Sequence, residues 1–281
     1  MKLGVITDCF KRPLDECIAL ASELGFDGVQ IYATSGELSP ALSGAERASL
    51  KKRLDKAGLE VSALCGDMGG HGFQIEKDNP ERIEKTKRII DLACDLGTSV
   101  VTTHIGAIPE DIRRPRYAVM LDALRRCGEY AAKRGVTIAI ETGPESARVL
   151  RDFVIACECG VGVNLDPANF VMVTRQDPVE AVELLGEFIV HTHAKDGRMI
   201  RAIDPERIYG CFDADEAEPI NVSDYFIETS LGEGQVDFPA YLGALRKAGF
   251  DGYLTVERET GLDPTSDIIL ARDMIKKLIV L

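Results

Sequence analysis

Short apolar runs recur along the chain, each opening a few residues after a helical pattern closes on glycine. The runs are VQIYA (29–33), EVSAL (60–64), SVVTT (99–103), VTIAI (136–140), VGVNL (161–165), FIVHT (188–192) and YLTVE (253–257). They follow Gly25, Gly58, Gly97, Gly135, Gly160, Gly186 and Gly249, in that order. A glycine just past a helix takes the left-handed conformation that ends it without steric cost, so each junction is expected to be a helix stop followed by a strand start. The opening run LGVIT (3–7) adds an eighth strand. Two junctions nearly repeat, LGFDGVQIY and AGFDGYLTV, as expected where the second and eighth strands are entered in the same way.

The segments between the runs have helical period. Ile83, Thr86, Ile90 and Ala93 fall on one face after Pro80, which suits a first helical turn. Tyr117, Leu121, Leu124 and Gly128 repeat the pattern, and Ile268, Ala271, Ile275 and Leu278 give the last helix its buried side. Eight strands that are apolar on both faces and alternate with helices predict a single (β/α)8 barrel, a TIM barrel, over residues 1–281. The spacing breaks once. After the seventh strand, residues 198–235 are polar, charged and rich in turn formers, and are expected to form a lid or rim insertion.

Composition narrows the partners. A net charge of −13 repels nucleic acid and anionic membranes alike, so neither is an expected partner. The first residues form too short an apolar run for a signal peptide, no stretch reaches membrane-spanning length, and the tail MIKKLIVL is broken by lysines. The eight cysteines, at 9, 17, 65, 94, 127, 157, 159 and 211, contain no CxxC and are expected to be reduced thiols in a cytoplasmic protein.

Candidate chemistry sits at strand ends. Glu141, Asp166, His193 and Glu257 close four successive strands, and parallel barrel strands deliver such tips into one bowl. Three acids and an imidazole facing one cavity repel unless a divalent cation lies between them, and that donor set suits a hard ion such as Mn²⁺ or Mg²⁺. Taken singly, Asp166 also fits a cap of the next helix and Glu257 an ion pair with Arg258. All four histidines lie at or just past strand ends. His191 shares a face with His193 one layer deeper and is expected to be a hydrogen-bonded core residue, whereas His71 and His104 are candidates for substrate or a second metal. Asn169 reaches the same bowl as a neutral hydroxyl partner. Lys195 and Arg198 stand on the rim, where Lys195 is either a ligand for an alkoxide or carboxylate or a solvated lysine. Arg201 and Arg207 are further insertion arginines. The Gly232-Glu233-Gly234 turn is a weak phosphate-cradle signal, better read as shaping the chain before the next helix. No dinucleotide or Walker fingerprint and no serine nucleophile elbow appears.

The segments IAIE, VNLD, HTHAKD, GEGQVDFPAYL and GYLTVE together resemble the sugar (phosphate) isomerase/epimerase family with the xylose-isomerase-like barrel, over essentially the whole chain. The resemblance to its ketose 3-epimerases implies one divalent ion, usually Mn²⁺ with Mg²⁺, Co²⁺ or Zn²⁺ as other fits, held by Glu141, Asp166, His193 and Glu257. It also implies that Glu141 and Glu257 carry the α-proton through an enediolate of a small sugar or sugar derivative, and that the protein is a homo-oligomer. Asn169 departs from the histidine that the tagatose/psicose epimerases and the related endonucleases carry there. A dehydratase acting on a polyol ketone with the same base and metal is the first rival, and a non-catalytic sugar-binding barrel the second.

Overall fold

The computed structural model describes residues 1–209 and 220–279. Eight parallel strands close a barrel: β1 (Lys2–Ile6), β2 (Gly28–Tyr32), β3 (Glu60–Cys65), β4 (Val100–Thr103), β5 (Thr137–Glu141), β6 (Val161–Leu165), β7 (Ile189–Ala194) and, after an intervening pair formed by β8 (Asp196–Met199) and β9 (Phe226–Thr229), β10 (Tyr253–Val256). Each pairs in parallel with its neighbours in chain order, and β10 closes against β1. Helices α1 (Leu14–Glu23), α2 (Gly44–Ala57), α3 (Asn79–Leu96), α4 (Pro115–Lys133), α5 (Ala147–Cys157), α6 (Pro178–Leu185), α7 (Phe238–Lys247) and α8 (Pro264–Ile279) cover the outside. None of the described helices is long and apolar enough to cross a membrane.

Local chemistry explains where the elements start and stop. Ser43 and Glu46 form a reciprocal capping box at α2, and proline occupies the first turn of α3, α4, α6 and α7, where its missing N–H costs nothing. The helical faces pack as their period predicts: Ile83, Thr86, Ile90 and Ala93 of α3 are buried, as are Ile268, Ala271 and Ile275 of α8. Each buried aliphatic side chain contributes about 1.5–3 kcal/mol relative to exposure.

Six of the seven junction glycines have positive φ, from 66° at Gly160 to 79° at Gly97 and Gly249. Gly186 is the exception, with φ −47°, inside a short 3₁₀ turn rather than a left-handed stop. The physical reason for glycine there is contact: an added Cβ would lie 2.9 Å from the Ala248 Cβ. The seven described cysteines are unpaired thiols, and Cys211 falls outside the described residues.

The described parts of the insertion contain regular elements. Strands β8 (Asp196–Met199) and β9 (Phe226–Thr229) pair antiparallel over the barrel mouth, and a short helix, Pro205–Tyr209, lies between them. Residues 210–219 of the predicted lid lie outside the described residues. Two internal carboxylates tie this hairpin down. Asp196 Oδ1 accepts from the Gly197 and Val236 amides (2.8 and 3.1 Å), and Oδ2 from the Gly232 and Gly234 amides (both 2.9 Å). The GEG turn is therefore an anion cradle filled by the chain's own side chain, and an added Cβ at Gly234 would lie 1.9 Å from Asp196 Oδ1. Glu228 on β9 accepts from Arg258 Nη1 (2.8 Å) and from the Glu259 amide (3.0 Å), joining the hairpin to the segment after β10.

Candidate metal centre and active site

The strand tips converge. Glu141 ends β5, Asp166 directly follows β6, His193 lies at the end of β7, and Glu257 directly follows β10. One ligand atom from each lies within 4.8 Å of the others, and all four side chains are buried. His193 Nδ1 stands 2.6 Å from Glu257 Oε2, 3.6 Å from Glu141 Oε1 and 3.7 Å from Asp166 Oδ2. Glu141, His193 and Glu257 line a cavity of about 760 Å³ together with His104, Asn169, Lys195 and Tyr209, and Asp166 lies buried behind them.

Each of the four side chains is aimed by a second contact that uses its other polar atom. Asp166 does cap the next turn, through Oδ1, which accepts from the Ala168 and Asn169 amides at 2.7 and 3.2 Å. Its Oδ2 is left for the bowl. His193 Nε2 stands 3.1 Å from Gln30 Oε1 and 3.2 Å from Asn164 Nδ2, which turns Nδ1 toward the carboxylates. Asn164 Nδ2 donates to Glu141 Oε2 at 3.2 Å, and Lys195 Nζ donates to Glu257 Oε1 at 2.9 Å. Arg258 is occupied by Glu228 and Asp267 instead of Glu257.

The atoms that face one another are the ones left over. Asp166 Oδ2 is buried with no hydrogen-bond partner, and His193 Nδ1 and Glu257 Oε2 are buried and face each other at 2.6 Å with no other partner. Orphaned acceptors are expensive unless a cation or water uses them. Three carboxylate oxygens and one imidazole nitrogen form a mixed O/N donor set that fits a divalent ion. Proton equilibria point the same way. Burial raises the Asp166 carboxyl. Burial opposes a charge on His193, yet the Glu257 and Glu141 carboxylates outweigh it and hold its pKa well above the usual value. Burial likewise opposes ionisation of Glu257, but Lys195 and His193 hold its pKa far below the carboxylate range. A positive charge is therefore demanded at this point, and a metal ion and the His193 proton are competing ways to supply it.

The remaining predicted residues fall into two groups. His104, Asn169 and Lys195 join the bowl. His104 Nε2 is 3.5 Å from Glu141 Oε1, and although burial opposes it, that carboxylate raises the His104 pKa. Asn169 Nδ2 donates to the Thr142 carbonyl at 2.9 Å and approaches Glu141 Oε1 at 3.5 Å. Lys195 is buried between Glu257 and Glu259 rather than solvated on the rim. His191 is a core residue, with Nε2 at 2.9 Å from Gln30 Oε1 and 3.0 Å from Thr255 Oγ1.

His71 and Arg198 stand elsewhere. His71 Nε2 meets Asp78 Oδ2 at 3.0 Å in a separate pocket with Met68, Glu81, Arg82 and Lys85, because the glycine-rich turn after β3 carries it away from the barrel axis. Arg198 points outward on β8 and bonds the Glu233 carbonyl. Arg201 lies 4.6 Å over the Tyr225 ring. Sequence reasoning missed Gln30, Asn164 and Tyr209. Gln30 and Asn164 were detectable as lone amides inside apolar strands, where a buried polar group needs a partner. Tyr209 carries no such signal.

Comparison with known proteins places this geometry. A 28% identical relative, the rhizopine catabolism protein MocC of Rhizobium meliloti, aligns over 88% of this chain and 75% of its own length. A 3-dehydroshikimate dehydratase of Pseudomonas putida is 23% identical over 92% of this chain and 38% of its own. The crystal structure of a xylose isomerase domain protein from Planctomyces limnophilus superposes with a TM-score of 0.80 at 25% identity, covering 99% of this chain and 96% of that one. The profile of the xylose isomerase-like TIM barrel matches residues 18–278, and the chain belongs to that family.

Proposed function

We propose that the protein is a metal-dependent isomerase or epimerase of a sugar or sugar derivative, with Glu141 and Glu257 moving the proton. The observation that carries this reading is the convergence of Glu141, Asp166, His193 and Glu257, with Asp166 Oδ2 buried and unpartnered, beside a cavity of about 760 Å³. Glu141, Asp166, His193 and Glu257 would hold the ion, with Mn²⁺ our first choice among the divalent metals. When bound, it would polarise a carbonyl and its adjacent hydroxyl and so acidify the intervening C–H.

The protein's own residues do the rest. One of the two glutamates removes the proton as general base, contributing on the order of 10²–10⁴-fold, and Lys195, 2.9 Å from Glu257 Oε1, holds that carboxylate in place. The C–H electron pair then enters the carbonyl system as an enediolate. The other glutamate returns a proton to the opposite face for epimerisation, or to the neighbouring carbon for aldose–ketose isomerisation; for Glu141 that proton would come from His104, whose Nε2 lies 3.5 Å from its Oε1. Asn169, His104 and Lys195 orient hydroxyls, and the β8–β9 hairpin limits access of water.

The dehydratase relative favours a second reading. The same base would remove the same proton, and a β-hydroxyl would depart as water. Incubating the metal-loaded protein in D₂O with a panel of ketoses and polyol ketones separates the readings. Deuterium incorporation without loss of water supports the isomerase, and loss of water supports the dehydratase. Full exchange by either Glu141→Gln or Glu257→Gln would refute the assignment of the glutamates.

A further inference from the structure

The bowl has two unlike walls. One carries the metal ligands, His104 and Lys195. The other is apolar: Met172, Ile208, Tyr209 and Phe226 line the same cavity, and they cluster with Ala168 and Val173. Ile208 and Tyr209 come from the short helix of the insertion and Phe226 from β9, so the insertion builds most of this face. Tyr209 is seated by a missing side chain. A Cβ at Gly143, two residues past Glu141, would lie 3.0 Å from the tyrosine Cζ and Oη. The phenol ring thus rests on the backbone beside β5, with its centroid 5.8 Å from that of His104.

The charges of the bowl exclude one class of ligand. Asp67, Glu141, Glu228, Glu257 and Glu259 line it, and Asp166 completes the ligand set. Among the described lining residues the basic groups are already committed: Lys195 to Glu257 and Glu259, Arg258 to Glu228 and Asp267, and His104 to Glu141. Even with a divalent ion in place the bowl stays net negative, and a phosphate or carboxylate on the substrate would have to break one of these buried pairs.

Resting on the isomerase reading above, we propose that the site takes an uncharged polyhydroxylated ketone or aldehyde that presents an apolar ring face or substituent to Met172, Ile208, Tyr209 and Phe226. Phosphorylated and carboxylated analogues are rejected. Tyr209, held over Gly143, is the specificity-determining residue.

Hydroxamates test this without knowing the sugar, because they chelate through a carbonyl oxygen and an adjacent hydroxyl-derived oxygen, as an α-hydroxy ketone would. Calorimetry on the full, Mn²⁺-loaded chain would compare acetohydroxamate, benzohydroxamate and 4-carboxybenzohydroxamate. Burying the phenyl ring on the apolar wall is expected to tighten binding about 10–100-fold over the methyl compound. The added carboxylate is expected to weaken it again by about tenfold or more. Tyr209→Ala is expected to cut the phenyl preference to below about threefold. A wild-type preference below about threefold, or equal binding of the carboxylated ligand, overturns the proposal. Failure of the chain to bind Mn²⁺ in a prior titration would refute the metal reading itself. Metal uptake with no hydroxamate binding, or with no phenyl preference, would refute only the inference about substrate class.

Discussion

Replacing Lys195 by methionine tests how charge is balanced in the bowl. Lys195 Nζ lies 2.9 Å from Glu257 Oε1 and 2.6 Å from Glu259 Oε2, and its side chain is only 6% exposed. Removing one partner of a buried ion pair costs about 3–5 kcal/mol, because the other charge is left uncompensated. For a chain of this size that corresponds to a fall of roughly 6–20 °C in Tm. A bound divalent cation would still neutralise Glu257, so the loss in the metal-loaded protein is expected to be less than about half as large. Linkage then requires the variant to bind metal more tightly, by about tenfold or more. Thermal unfolding of wild type and Lys195→Met with and without saturating Mn²⁺, together with metal titration of both, measures every side of this cycle. Equal Tm losses in the two states, or weaker metal binding by the variant, would refute the reasoning.

Two further outcomes follow from the same geometry. Glu145 is buried, its Oε2 has no hydrogen-bond partner, and burial pushes its pKa to about 8. Its folded pKa is therefore above the unfolded value, so unfolding releases a proton and stability falls between about pH 4.5 and pH 8, by ~1.4 kcal/mol per pH unit. Urea midpoints at several pH values should show that limb flattened in Glu145→Gln, and an unchanged slope would contradict the burial argument. Gly234→Ala would drive a methyl against Asp196 Oδ1 and loosen the anchor of the β8–β9 hairpin, at a cost of about 1–3 kcal/mol. Limited proteolysis should find the variant cut sooner within the insertion, and an unchanged cleavage rate would show that Asp196 does not anchor it.

The barrel was readable because its signals are redundant. Apolar strands, helix stops and helical faces repeat around the ring, so the wrong conformation expected at Gly186 cost nothing. The convergence of Glu141, Asp166, His193 and Glu257 was readable for a related reason: they stand near the ends of neighbouring barrel strands, and topology turns equal position into proximity. The insertion was harder. Strand β9, FIET, alternates too briefly to announce itself, and β8 begins inside the HTHAKD motif, at Asp196. His71 shows the limit of counting strand ends, since a glycine-rich turn carries it to a different pocket. Tyr209 shows the converse, a residue of the bowl whose place depends on a tertiary contact with Gly143 that no local pattern encodes.

Metal content measured on purified protein, followed by anomalous diffraction at the absorption edge of the ion found, addresses the whole account most directly. One ion per chain bonded to Glu141, Asp166, His193 and Glu257, with occupancy lost in His193→Ala, is the expected result. A chain that takes up no divalent ion, or one whose ion lies away from these four side chains, would contradict it.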